Sequence, residues 1–209
     1  MTIHTLIIAR HGNTFVPDEA PRRVGLKTDL PLVESGKAQA RKLGIYLRDH
    51  NLTPSRIFTS KLQRTRQTAD LAKLEMSADI PVHASDLFNE IDYDIDENFT
   101  EDIVLKRLGQ DALTAWDKDG VMPAEWRPRP KEIRQMWFDF ASSLLANPGY
   151  DKTLVVTSNG IARFALHLTG DWDQAKQDFG LKLSTGAISV LTYNPDHKNW
   201  QVAGWNIRP

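Results

Sequence analysis

The sequence predicts a single-domain three-layer α/β/α fold on a mostly parallel sheet, with an acidic cap insertion. Short β-branched runs alternate with longer stretches of helical period, as when crossover helices join parallel strands. The first run, Thr5-Leu6-Ile7-Ile8, is apolar at successive positions, as a strand covered on both faces must be. A chain of 209 residues fits one domain over 1–209 and buries about 70–75% of its unfolded surface without covalent help. It contains no cysteine, which excludes disulfides, thiolate nucleophiles, iron–sulfur clusters and thiolate zinc sites.

Residues 34–49 read as a helix with Ala40, Leu43 and Leu47 on one stripe and Lys37, Arg41 and Arg48 on another. Arg56–Ser60 forms a second strand, followed by a helix over about 62–75, and Pro81–Ala84 forms a third strand. Residues 92–128 break the rhythm. They are acidic, carry short helices near 100–108 and 110–117, and end in Pro123, Trp126, Pro128 and Pro130. A segment this short lacks the means to own a core, so it is expected to lie over the sheet as a cap. Ile133, Met136, Trp137, Phe140 and Leu144 then define an amphipathic helix stopped by Asn147-Pro148-Gly149. Thr153–Thr157 is a strand, Ser158-Asn159-Gly160 turns into a helix bearing Ile161, Phe164, Ala165 and Leu168, and 187–205 form a terminal hairpin around Asn194-Pro195-Asp196.

The net charge of −1 argues against a nucleic-acid or anionic-membrane partner. It conceals an asymmetry: Arg22 to Arg66 holds 11 basic against 3 acidic residues, and Asp86 to Asp119 holds the reverse. A cationic side suits an anion, and an acidic side can supply carboxyl chemistry. No run of 18 apolar residues spans a membrane. The amino-terminal segment lacks a basic start and long apolar core, so a cytoplasmic location is expected.

The chemistry-bearing residues fall at strand-to-helix junctions. In open α/β sheets, ligands bind beyond the carboxyl ends of the strands. Arg10-His11-Gly12 follows the first strand and offers a guanidinium fork for phosphate oxygens, an imidazole, and a glycine that permits close backbone approach. Arg64 lies in the first turn of the next helix, where the helix amino end favours anions. Ser158-Asn159-Gly160 forms a third junction. No metal-ligand cluster is apparent; His4, His50, His83, His167 and His197 match no motif, and Ser158 lacks the His and Asp of a serine hydrolase.

Taken together, Arg10-His11-Gly12-Asn13-Thr14, Asp29-Leu30-Pro31-Leu32-Val33-Glu34-Ser35-Gly36, Thr59-Ser60-Lys61-Leu62-Gln63-Arg64-Thr65-Arg66, Leu87-Phe88-Asn89-Glu90 and Val155-Val156-Thr157-Ser158-Asn159-Gly160 resemble the histidine phosphatase superfamily, the phosphoglycerate mutase-like fold. The matches run in order over residues 5–165. The resemblance implies a cofactor-free, metal-independent phosphatase acting on a small phosphorylated substrate, with inorganic phosphate as a further ligand. His11 would attack phosphorus, Arg10 and Arg64 would hold the equatorial oxygens, and Glu90 would act as acid and then base, with Asp92 and Asp94 as nearby alternatives. Asn159 stands where the family carries a second catalytic histidine, and it keeps an N–H donor for phosphate. Asn13, Thr14, Arg22, Arg23 and Thr28 are candidate substrate contacts.

Two departures bear on the reaction type. The family often has Asn six residues beyond the nucleophile, where this chain has Pro17. Phosphoglycerate mutases carry a Gly-Glu-Ser-like segment where this chain has Pro128-Arg129-Pro130-Lys131-Glu132. Both favour a phosphatase over a mutase. A non-catalytic phospho-ligand binder is the alternative that Asn159 suggests.

Overall fold

The computed structural model describes residues 3–147 and 149–209, so Pro148 of the expected helix stop lies outside the described residues. A six-stranded sheet runs β3 (Val82–Ala84), β2 (Arg56–Thr59), β4 (Lys152–Thr157), β1 (Thr5–Arg10), β5 (Ile188–Asn194), β6 (Asn199–Ile207). The first four are parallel, and β5 and β6 close one side antiparallel. β1 lies between β4 and β5, with Ile7 opposite Leu154 and Arg10 opposite Thr157.

Successive strand residues point to opposite faces, and the core divides accordingly. Leu6, Ile8 and Val155 join one apolar cluster; Ile7, Ala9, Leu154 and Val156 join the other. The second cluster is covered by α1 (Glu34–Asp49) and α2 (Gln63–Met76), through Leu43 and Leu47 of the first and Ala69, Ala72 and Met76 of the second. Leu43 and Leu47 are wholly buried, each contributing about 1.5–3 kcal/mol.

The opposite face is covered by α5 (Pro130–Leu145), whose Ile133, Trp137, Phe140, Ala141 and Leu144 are buried. Pro130 occupies its first turn, where the missing N–H costs nothing. The Glu132 carboxylate accepts from the Arg129 backbone N–H at 2.6 Å. Trp137 donates from its indole to the Ile161 carbonyl at 2.9 Å, tying α5 to the turn after β4.

Between β3 and α5 lie α3 (Glu101–Leu108) and α4 (Gln110–Asp119). Trp116 and Trp126 from this segment join the same apolar cluster as Trp137 and Phe88. Buried Asp96 accepts from the Trp126 indole at 2.8 Å and from the Arg107 guanidinium.

The chain departs from the sequence expectation in two places. The helix after β4 is α-helical only over α6 (Asn159–Ala162) and continues as a 3₁₀ helix over Arg163–Thr169. Arg163, Phe164, Ala165, Leu166 and Leu168 are all buried, so tertiary packing rather than one apolar stripe sets its geometry. Helix α7 (Trp172–Phe179) was not foreseen: its apolar stripe is only Trp172, Ala175 and Phe179, of which Ala175 alone is fully buried. Its local signal is the amino cap, where the Asp171 carboxylate accepts from the Gln174 N–H at 3.0 Å. No helix among the described residues is long and apolar enough to cross a membrane.

Candidate active site

The carboxyl ends of β1 and β4 meet in register, and the site is built where they stop. His11 follows Arg10 and donates its backbone N–H to the Thr157 carbonyl at 3.0 Å. Gly12 donates to the Thr68 hydroxyl on α2 at 3.1 Å. A Cβ on Gly12 would stand 2.3 Å from the Gly36 carbonyl oxygen, so this glycine lets the loop approach the first turn of α1.

The His11 ring is buried, with Nδ1 2.8 Å from the Gly12 carbonyl. A carbonyl only accepts, so Nδ1 carries the proton and Nε2 keeps its lone pair. Burial first, and then the Arg64 and Arg10 charges, hold this imidazole well below its usual pKa. The ring is therefore neutral through neutrality, with the lone pair of Nε2 free.

Arg10 donates from Nη1 to the Leu183 carbonyl at 3.0 Å. Arg64 is completely buried and donates to the Thr28 carbonyl at 2.9 Å and the Gly25 carbonyl at 3.0 Å. In both, Nε is buried without a hydrogen-bond partner. Among the described residues neither makes a salt bridge with a carboxylate. Burying an unpaired guanidinium is costly, and two of them acting on one imidazole make a strongly anion-attracting point.

Glu90 is buried beside them. Its Oε1 accepts from the Ile91 N–H at 2.9 Å, and the Gly160 N–H also donates to the carboxylate. Burial raises its pKa against the opposing pull of these donors and both arginines, which favours the protonated carboxyl an acid catalyst needs. A Cβ on Gly160 would lie 2.3 Å from Oε1. Gly160→Ala therefore displaces the Glu90 carboxyl, and kcat is expected to fall about 10²-fold, since small displacements of catalytic groups are that costly. Steady-state kinetics beside a melting curve checks this; an unchanged kcat in a folded variant would contradict it.

Asn159 accepts at Oδ1 from the Leu183 N–H at 2.7 Å, which leaves its amide NH2 as donor. Buried Ser158, one step beyond the Arg10–Thr157 pair, has an Oγ without a partner.

A cavity of about 490 Å³ opens over these groups. Arg10, His11, Glu90 and Asn159 line it, as do Asn13, Thr14, Arg22 and Arg23. Arg22 pairs with Glu19 at 3.0 Å and Arg23 with Glu101. Two expected contacts fall elsewhere. Thr28 gives its hydroxyl to Glu97 Oε1 at 2.8 Å and does not line the cavity. Arg64 acts from beneath the wall, where it affects His11 and Glu90 electrostatically. Sequence reasoning missed Tyr93, Arg163 and Lys182 as lining residues. Only Arg163, close behind the Ser158-Asn159-Gly160 turn, carried a signal that could have found it. Asp92 is turned away, bound to Lys27 at 2.9 Å.

The model of the histidine phosphatase superfamily (branch 1) matches residues 6–208. The chain belongs to the histidine phosphatase superfamily. Among its relatives is a 2,3-bisphosphoglycerate-dependent phosphoglycerate mutase of Mycobacterium leprae, 35% identical over 57% of this chain. The chain spans about half the length of that relative, since the match covers 48% of it. A mutase of the same name from Leifsonia xyli is 30% identical over 97% of this chain and 91% of its own. Among solved structures, the α-ribazole phosphatase of Shigella flexneri superposes with a TM-score of 0.74 at 22% identity, covering 98% of this chain and 96% of its own. A mycobacterial glucosyl-3-phosphoglycerate phosphatase gives 0.79 at 19% identity, covering 99% and 100%. These two likenesses show a shared fold.

In this histidine phosphatase superfamily member, the second arginine is held by a network that reaches into the acidic segment. Glu97 Oε1 accepts from the Gly25 N–H at 2.9 Å, the Lys27 N–H at 3.1 Å and the Thr28 hydroxyl. Its Oε2 accepts from the Tyr93 N–H at 3.2 Å. The carbonyls of Gly25 and Thr28 are those that receive Arg64. Glu97→Ala is expected to destabilise the fold by about 1.5–3 kcal/mol, the value of a charge-assisted bond, and to weaken phosphate binding through Arg64. Glu97→Gln, which retains one acceptor oxygen, should recover part of both. Denaturant melts and phosphate titration read the two effects; wild-type phosphate affinity in Glu97→Ala would refute the link.

Proposed function

We propose that the chain is a metal-independent phosphatase that hydrolyses a phosphomonoester through a phosphohistidine on His11. The observation that carries this reading is the buried His11 ring, its Nδ1 directed at the Gly12 carbonyl beside two guanidiniums without carboxylate partners. His11 Nε2 attacks phosphorus as the ester P–O bond breaks, and the Glu90 carboxyl gives its proton to the departing oxygen. Water then attacks phosphorus, giving a proton to the Glu90 carboxylate as the N–P bond breaks and its electron pair returns to His11 Nε2, which releases phosphate and restores both groups. Phosphoryl transfer asks mainly for positioning and charge neutralisation, which Arg10 and Arg64 supply, with Asn159 and Ser158 as further donors. Asn159 gives a neutral donor where a protonated imidazole would give a charged one, so the enzyme works at a lower rate. The proposed location is cytoplasmic.

The test is hydrolysis of an aryl phosphate in the presence of a chelator, with an acid quench to trap acid-labile phosphoprotein. Turnover with a trapped intermediate is expected. No turnover above a His11→Asn control would refute the proposal, and isomerisation of a phosphoglycerate without phosphate release would favour a mutase.

A further inference from the structure

We infer that a second cavity, apart from the catalytic one, binds a small aromatic carboxylate, its flat ring against the parallel side chains of Trp172, His167 and Phe164 and its anion on Arg134 and Lys131. The cavity holds about 230 Å³ and shares no lining residue with the catalytic one. It lies where the end of α4, the start of α5, the 3₁₀ stretch and the start of α7 converge. Three aromatic rings set its shape. The Trp172 and His167 centroids are 3.9 Å apart with the planes at 8°, and Phe164 lies at 1° to Trp172 with centroids 5.8 Å apart. Gly120, at φ +69°, brings the end of α4 against them, since a Cβ there would meet Trp172 Cζ2 at 3.2 Å. Trp172 and His167 are only partly buried, so a guest ring lying parallel to them gains offset stacking. Drug-sized ligands fill about 300–1,000 Å³, so this smaller cavity suits a compound of one or two rings.

The charge around the rings is cationic and uncommitted. Lys131 and Arg134 stand one turn apart on α5, exposed and lining the cavity. Among the described residues neither forms a salt bridge or a side-chain hydrogen bond. The nearby carboxylates are already engaged. Asp119, which also lines the cavity, binds Lys176 at 3.4 Å, and Lys176 binds Asp173 at 3.1 Å. Glu132 accepts from the Arg129 N–H. Burial first, and then the Arg134 charge, hold His167 down to about 4, so it presents a neutral imidazole with one N–H to give. Its ring nitrogens make no hydrogen bond among the described residues and are not sealed from solvent. A neutral aromatic guest would leave two cations unmatched, and an aliphatic acid would forfeit the stacking. An aromatic carboxylate uses both halves of the cavity.

The experiment titrates the intact, isotopically labelled chain with benzoate and follows the backbone amide resonances. Shifts are expected at Gly120, Phe164 and His167, rather than at Gly12 and Asn159 of the catalytic cavity. Benzoate should bind about 2–10-fold more tightly than cyclohexanecarboxylate, the value of an aromatic pair. It should bind about fivefold more tightly than benzamide, as for ion pairs at exposed cations. The double variant Lys131→Gln/Arg134→Gln, at exposed positions that do not threaten folding, should bring benzoate to the benzamide level. Trp172→Leu, accompanied by a melting curve, should erase the preference over cyclohexanecarboxylate; the double variant decides the matter if that protein does not fold. Equal affinity for benzoate and benzamide, or benzoate affinity kept in the double variant, would overturn the site. So would shifts confined to Gly12 and Asn159, which would put the anion in the catalytic cavity.

Discussion

His11→Asn is expected to lower phosphomonoester turnover by about 10⁴-fold or more, because it removes the proposed nucleophile and with it the first step of the proposed covalent mechanism. Asparagine can keep the donation to the Gly12 carbonyl, so the fold and the two arginines stay in place and inorganic phosphate still binds. The wild-type pH profile follows from the same group. Its pKa is held well below the usual 6.5 by burial and by Arg64 and Arg10, so kcat/KM stays level below neutrality and falls only as pH drops through that lowered value. Stability changes with the same sign: the folded state resists protonating His11, so stability declines as pH falls from about 6.5, the unfolded value, toward the lowered one. The variant lacks this contribution and melts with a flatter acid dependence. Stopped assays and melts across pH measure both; residual turnover within tenfold of wild type would remove His11 from the chemistry.

Glu90→Gln moves activity and stability in opposite directions. An amide has no carboxyl proton to give, so turnover of esters with poor leaving groups falls about 10²–10⁴-fold. Aryl phosphates, which need little protonation, fall less in the first step. Burial raises the folded pKa of Glu90 above the unfolded value of about 4.3. Its stability contribution is therefore complete below that unfolded value and is lost as pH rises through the folded pKa. Glutamine carries no charge to desolvate and can accept from the Ile91 N–H, so the variant is more stable than wild type at neutral and alkaline pH. This is the expected trade where a site holds a costly group for its chemistry. A lower melting temperature for Glu90→Gln at pH 8 would contradict the account.

How much of this was legible beforehand depends on how local the cause was. Helix α1, read at 34–49, occupies those positions because its apolar spacing alone determines which face packs. Strands β1, β2 and β4 were apparent from β-branched runs that need no partner to be recognised. Helix α7 left only a short stripe to read, Trp172, Ala175 and Phe179, of which one residue is fully buried, and its start is marked by the Asp171 cap. The 3₁₀ stretch at Arg163–Thr169 was hidden because burial on many sides leaves no periodic signature.

The site divides along the same line. Arg10, His11, Glu90 and Asn159, picked out in the sequence by their motifs, line one cavity in the folded chain, because each motif keeps a fixed relation to its own element. Thr28 was misplaced because its hydroxyl answers to Glu97, 69 positions away. Only the folded chain could decide this, along with the proton on His11 Nδ1, the buried place of Arg64, and the gathering of Arg163 and Lys182 into the cavity. The amino-acid order by itself determined the layered α/β class and the groups available for catalysis, since backbone period and side-chain chemistry are properties of short segments. Protonation, orientation and shared use of a pocket depend on burial and on fields from residues far along the chain, which exist only once β1 and β4 lie side by side.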